Sequence, residues 1–117
     1  MLPVGSTEQH GHHLPLGVDT YMPEAICRQV AERSSCLLAP SIPYGVSPHH
    51  TFKPGTVTVE SETFRRYVRD VCRSAGEWGI ENVLLVTVTT SYKTPNSKSS
   101  CVTCESITIC VRFTFHL

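Results

Sequence analysis

Two stretches of the chain repeat their apolar residues every three or four positions, as an amphipathic helix does. The first predicts a helix from about residue 20 to residue 33, in which a proline is tolerated because it falls in the first turn. The positions that share this spacing are Met22, Ala25, Ile26, Gln29 and Val30. The second predicts a helix that Ser61 caps and Gly79 ends. Its apolar face consists of Phe64, Tyr67, Val68, Val71, Cys72 and Ala75.

Short apolar or β-branched runs lie around the two helices and predict strands. These runs cover residues 2–5, 36–41, 56–59 and 83–88. Strands and helices therefore alternate, which is typical of an α/β fold, a layered αβα sandwich with a mostly parallel sheet. The last run is apolar enough for a strand that is buried on both faces of such a sheet.

The pattern changes after residue 86. Serine and threonine dominate residues 87–100, a composition typical of a flexible linker. Residues 107–117 then alternate between apolar and polar side chains, which predicts a strand that could pair with a sheet edge or with another copy of itself. Because this order does not continue the earlier one, we expect residues 87–117 to be a divergent Ser/Thr/Cys-rich tail outside the fold of residues 1–86.

Composition and charge restrict the classes of function. The formal net charge of the 117 residues is zero, and without a basic patch we expect no nucleic-acid partner. No apolar run reaches the ~18 residues of a membrane span, and the N-terminus lacks the features of a secretory signal. We therefore expect one cytoplasmic domain with no membrane partner, in which the six cysteines are reduced.

Residues 3–19 hold the densest group of candidate metal ligands in the sequence. Side chains two apart in an extended segment point the same way, so Glu8 and His10 can face one point, and Asp19 can return a carboxylate to it. Mixed imidazole and carboxylate ligands suit zinc, manganese or iron better than calcium. On composition alone, a solvated histidine-rich loop is an equal alternative.

Two strings of residues resemble the signature of the creatininase family, a family of metal-dependent amidohydrolases. The first consists of GSTEQHG at residues 5–11, HLPLG at 13–17 and Asp19, and the second is PYGVSPHH at 43–50 followed by FKPGT at 52–56. The resemblance implies that Glu8 and His10 each hold one metal ion and that Asp19 bridges both. It also implies that His50 lies close to the substrate, where it acts as a catalytic residue.

The same resemblance implies the chemistry of an intact member. Two divalent ions, zinc or manganese, lie ~3.5–4 Å apart and activate water against a non-peptide or cyclic amide C–N bond. The partner is then a small-molecule amide substrate, and the protein could assemble as a homo-oligomer.

The sequence departs from the family pattern at several positions. His12 stands where the family usually has proline, His49 stands where glutamate is usual, and Lys53 interrupts the Phe-Pro-Gly-Thr string. After residue 86 the family has Asn-Gly-His-x-Gly-Asn, whose histidine and a later acid complete the metal shell, whereas this chain has TVTTS. We therefore expect a truncated fold and an incomplete, weakly active or inactive site. The alternative is a non-catalytic pseudoenzyme or truncated chain that binds metal or pairs with an intact subunit.

Three further side chains have both a chemical and a structural interpretation. Ser47 precedes two histidines and could be a nucleophile, but the sequence shows no acid to orient the pair, which disfavours a serine hydrolase. Cys27 and Cys72 lie on apolar helical faces, and we expect them to be core residues rather than nucleophiles.

Overall fold

The computed structural model describes residues 1–88 in full, together with the backbone of residues 102–104 and 107–114. Helices and strands alternate over residues 1–88, so the chain has the α/β fold that the sequence predicts. The elements are β1 (Leu2–Pro3), α1 (Val18–Glu32), a 3₁₀ turn (Pro48–His50), α2 (Ser61–Glu77), β2 (Asn82–Thr87), β3 (Val102–Cys104) and β4 (Ile107–Thr114).

The sheet within residues 1–88 is built around β1. Strand β2 pairs parallel with β1, so that Leu2 lies opposite Leu85. On the other side of β1, Val4 forms a parallel bridge with Ile42. The predictions of strands at 36–41 and 56–59 are wrong, since the first segment lacks regular pairing and the second contributes one bridge, Thr7 with Val57. Prolines at 40, 43 and 54 explain this, because a proline has no N–H to donate to a ladder.

The tail takes part in the sheet, contrary to our expectation that it lies outside. Strand β4 pairs antiparallel with the free edge of β2, from Asn82 opposite Thr114 to Thr87 opposite Thr108, and β3 pairs with β4. The sheet order is therefore β1-β2-β4-β3. An uncovered edge of β2 presents unpaired N–H and C=O groups, and the alternating segment 107–114 has the length to satisfy them. The boundary at residue 86 between a family-like part and a divergent tail stays a prediction.

Helix α2 covers one face of the β1–β2 pair. Its residues Phe64, Val68 and Cys72 are buried, which confirms the centre of the predicted apolar face, whereas Tyr67 is 54% exposed. The core that they form with the strands consists of Leu2, Val4, Ile42, Phe64, Val68, Cys72 and Val83. Burial raises the pKa of the Cys72 thiol to about 11, as expected for an inert core cysteine.

Helix α1 contacts both strands on the other face, towards which Pro3 and Val86 point by strand alternation. Its buried residues are Thr20, Pro23 and Cys27, while Met22 and Val30 are exposed. The apolar positions that predicted this helix are therefore not its packing face.

Gly5 shows the physical reason for the face that α1 buries. A Cβ at this position would lie 2.5 Å from the Cα of Thr20, so the helix approaches the strand too closely for large side chains. Close approach therefore selects small residues on the buried face of α1, rather than the apolar ones that predicted the helix.

The helices span 15 and 17 residues. Helix α2 ends as predicted, because Gly79 has φ 86° and Ile80 donates its N–H to the carbonyl of Ala75. The N-cap is Glu60 rather than Ser61, and no side chain caps it. Neither helix in the described part of the chain is both long and apolar enough to cross a bilayer.

Candidate metal centre

The loop that leads from β1 into α1 brings the candidate ligands to the carboxyl end of β1. The Glu8 N–H donates to the carbonyl of Leu16 (2.9 Å), which closes the loop, and Val57 N–H donates to the carbonyl of Thr7 (2.9 Å). Asp19 follows in the first turn of α1. The carboxyl ends of strands are where α/β sheets bind ligands, so the loop presents its side chains at the expected edge.

The side chains of Glu8, His10 and Asp19 converge. One potential ligand atom from each lies within 4.8 Å of the other two, and among the described residues this is the group of three or more that could hold a metal ion. His10 Nε2 lies 3.4 Å from Asp19 Oδ1. Glu8 is 4% exposed, and the other two are partly buried. The structure therefore brings together the three residues that the sequence singled out, while their role as ligands stays a prediction.

His10 has its other ring nitrogen occupied. Its Nδ1 lies 3.0 Å from the backbone carbonyl oxygen of Glu8, which can only accept a hydrogen bond. Nδ1 must therefore carry the proton, and in the neutral ring Nε2 keeps its lone pair. A backbone carbonyl at the second nitrogen is a usual way to orient a metal-binding histidine.

Two buried serines hold the carboxylates, and the sequence did not reveal this role. Ser6 is 0% exposed and donates from Oγ to Asp19 Oδ2 (3.1 Å). Ser47 is 1% exposed and donates from Oγ to Glu8 Oε1. The available signal was that each serine lies inside one of the two strings that resemble the family signature, GSTEQHG and PYGVSPHH. Ser47 does have an acidic neighbour, since its hydroxyl donates to Glu8. Because the pKa of Glu8 lies below its ordinary value, this carboxylate is a weak base, and the contact orients the carboxylate rather than activating a nucleophile.

Glu8 has the electrostatic environment of an ionised carboxylate. Burial raises the pKa of Glu8, because the charged form loses its hydration, but the hydrogen bond from Ser47, the nearby hydroxyl of Ser6 and the neighbouring His50 and His10 lower it. The lowering contributions win, and the pKa lies below its ordinary value. Glu8 is therefore a charged ligand candidate at neutral pH.

The remaining histidines fall into two groups. His50 lies in the 3₁₀ turn, and its Nε2 is 3.5 Å from Glu8 Oε2. His12, His13 and His49 are exposed, and none belongs to the three-residue group. The expectation that His50 faces a substrate is not tested by this geometry, which shows only that His50 adjoins Glu8.

Comparisons with known proteins agree with this α/β fold. The model of the family Creatininase, described as creatinine amidohydrolase, matches residues 1–91, which extends past the boundary at residue 86. The chain belongs to the creatininase family.

Individual relatives match the same region. Creatinine amidohydrolase of Pseudomonas putida is 36% identical over 91 residues, which cover 74% of this chain and 35% of that protein. Mycofactocin precursor peptide peptidase of Mycobacterium ulcerans is 42% identical over 87 residues, or 67% of this chain and 35% of that protein. The chain thus spans about a third of the length of these relatives.

Solved structures of creatininase share the fold. A mutant creatininase of Zn-Zn type and a manganese form each match with a TM-score of 0.66 and 38% identity over 69% of this chain. The match covers 33% and 34% of those chains, respectively. Both zinc and manganese therefore occur in structures that this chain resembles.

Proposed function

We propose that this chain binds divalent metal ions, zinc or manganese, through Glu8, His10 and Asp19, as part of a metal-dependent amidohydrolase. The observation that carries the proposal is the convergence of these three side chains in a family whose solved structures include zinc and manganese forms. The proposed substrate is a small molecule with a non-peptide or cyclic amide C–N bond, and the proposed location is the cytoplasm.

The donor set fits such an ion. Zinc bonds of ~2.0–2.2 Å to nitrogen and oxygen at tetrahedral angles separate two ligand atoms by ~3.3–3.5 Å. The separation of His10 Nε2 and Asp19 Oδ1 is 3.4 Å. Glu8 is ionised, and a neutral His10 ring offers a lone pair on Nε2, as a metal ligand requires.

Each residue then has a distinct role. Glu8 and His10 each hold one ion, and Asp19 is shared, with Oδ1 facing His10 and Oδ2 held by Ser6. When bound, divalent ions lower the pKa of water and polarise a carbonyl. In this proposal His50, which adjoins Glu8, would act on the substrate as a catalytic residue. We also propose that the chain can pair with another copy of itself or with an intact subunit.

The amidohydrolase activity of this chain is proposed to be weak or absent. Residues 87–104 contain no histidine, aspartate or glutamate, so the segment after β2 supplies none of the ligands that the family pattern has there. A catalytic zinc normally has three protein ligands, and three residues shared between two ions leave each ion underfilled. This observation favours the second candidate function, a pseudoenzyme that binds metal without turnover.

Titration calorimetry with zinc and with manganese tests the metal site. We expect binding to be lost in Glu8→Ala and in Asp19→Ala and kept in the control His12→Ala/His13→Ala, which removes two exposed imidazoles. Loss in the control alone would mean that the loop histidines form an adventitious chelate. In parallel, hydrolysis of creatinine and of a formamide should not exceed a metal-only blank, and robust chelator-sensitive turnover would contradict the inactive form.

A further inference from the structure

We propose that His50 is itself a metal ligand, which supplies an imidazole to the ion held by Glu8. This inference rests on the proposed metal site and extends it, because the family resemblance places His50 near the substrate and not on an ion. The chain then contains two imidazole–carboxylate pairs, His10 with Asp19 and His50 with Glu8.

The first argument is the spacing of the two pairs. His50 Nε2 lies 3.5 Å from Glu8 Oε2, and His10 Nε2 lies 3.4 Å from Asp19 Oδ1. A charge-assisted hydrogen bond between such groups is shorter, ~2.7–2.9 Å. Both separations instead match the ~3.3–3.5 Å between two ligand atoms on one zinc ion. Each pair therefore spans a gap that one ion would fill.

The second argument is the geometry of the 3₁₀ turn. Ser47 is the N-cap of this turn and His50 is its last residue, and the side chains of both contact Glu8. His50 N–H donates to the carbonyl of Ser47 (3.1 Å), which keeps the turn closed. Ser47 Oγ donates a hydrogen bond to Glu8 Oε1, and His50 Nε2 lies near Glu8 Oε2. One turn thus fixes one carboxylate oxygen with a hydroxyl and leaves the other for an ion shared with an imidazole.

The third argument is that His50 is anchored to the ligand loop. The hydroxyl of Thr56 donates to the carbonyl of His50 (2.9 Å) and accepts the N–H of Gln9 (3.0 Å). Gln9 lies between Glu8 and His10, so the backbone of His50 is tied to the loop that carries both. The His50 side chain is 37% exposed, which leaves a path for an ion from solvent.

The chemistry of the remaining chain gives His50 this role. Residues 87–104 contain no imidazole or carboxylate, so among the described residues the ion held by Glu8 would otherwise have carboxylate ligands only. His50 adds an imidazole beside the Glu8 carboxylate, so that this ion, like the one at His10, has both kinds of ligand that zinc sites use.

A cobalt(II) titration followed by absorption spectroscopy tests this inference, because cobalt reports the number and geometry of ligands. The unmodified chain should bind two equivalents. His50→Gln should lose one equivalent of cobalt or bind it more than about 100-fold more weakly. This loss is larger than the effect of about 10–100-fold that follows when a residue that only hydrogen-bonds to a ligand is changed. Glutamine can still donate to Glu8, so the variant preserves a purely orienting contact. His49→Gln is the matched control in the same turn and should keep both equivalents.

The outcomes separate the two proposals. Two equivalents with an unchanged spectrum in His50→Gln and in His50→Ala would overturn the ligand role and leave the metal site of Glu8, His10 and Asp19 intact. Equal losses in His49→Gln and His50→Gln would overturn it too, since they would indicate a surface chelate. An unmodified chain that binds no cobalt would overturn the proposed function and, with it, this inference.

Discussion

The hydroxyl of Ser47 is expected to stabilise the fold by holding Glu8 as a buried carboxylate. A hydrogen bond to a charged group contributes ~1.5–3 kcal/mol, and removing the donor leaves the acceptor unsatisfied. Glu8 is 4% exposed, so water replaces the lost donor only in part. We therefore expect Ser47→Ala to lower the free energy of unfolding by about 1.5–3 kcal/mol at pH 7 in metal-free buffer.

The pH dependence identifies the carboxylate as the cause. The pKa of Glu8 is lowered in the folded state, so its ionisation contributes stability above the unfolded pKa of about 4.3, and this contribution is lost as pH falls through the folded pKa. In Ser47→Ala the effect of burial, which raises the pKa, is less opposed. The difference between the two proteins should therefore be complete at pH 7 and shrink below about pH 4.

Urea unfolding followed by circular dichroism at a series of pH values measures this difference. Ser41→Ala is the matched control, because Ser41 Oγ also donates to a carboxylate, Glu24 Oε2 (2.9 Å), whose side chain is 39% exposed. Water can replace that donor, and we expect a loss of at most about 1 kcal/mol. Equal losses in the two variants, or a difference for Ser47→Ala that does not change with pH, would refute the reasoning.

Two other predictions follow from the packing of the sheet. Gly5→Ala should lower the melting temperature and the free energy of unfolding, the latter by about 1–3 kcal/mol, because its Cβ would meet the backbone of Thr20. Gly17→Ala is the control, since the nearest atoms to its Cβ would be those of the movable Tyr21 ring, and equal melting temperatures for the two variants would contradict the close approach at Gly5. Deleting residues 105–117 should cause self-association in analytical ultracentrifugation, because it bares the edge of β2; a monomeric and equally stable product would show that β4 does not protect that edge.

The second of these predictions reverses what the sequence alone suggested. From the pattern of residues, the tail looks unrelated to the preceding fold and is expected to lie outside it. Pairing with β2 is a non-local contact, and a period-two pattern defines a strand without naming its neighbour. The partner of a strand is therefore information that the local pattern does not contain.

The fold and the site were predictable to different degrees. The two helices and β2 follow from the local pattern of residues, and α2 also buries the face whose spacing predicted it. The buried face of α1 was not predictable, since the close approach at Gly5 selects small residues and leaves Met22 and Val30 exposed. The convergence of Glu8, His10 and Asp19 was expected from the two-residue spacing and the family strings. The roles of Ser6 and Ser47 depend on contacts across the fold, and no local rule gives them.

The contact between Ser47 and Glu8 spans 39 residues of chain, and this separation has a thermodynamic consequence. An unfolded chain cannot hold Glu8 against Ser47 and His50, so an ion that uses these groups binds the native state and not the denatured ensemble. When the free concentration of such an ion is a hundred times its dissociation constant, binding adds about 2.7 kcal/mol to the free energy of unfolding. Since small domains have ~5–15 kcal/mol of stability in total, the supply of metal would then set how long the chain survives proteolysis. A shortage of metal would therefore first lower the amount of this protein that escapes proteolysis.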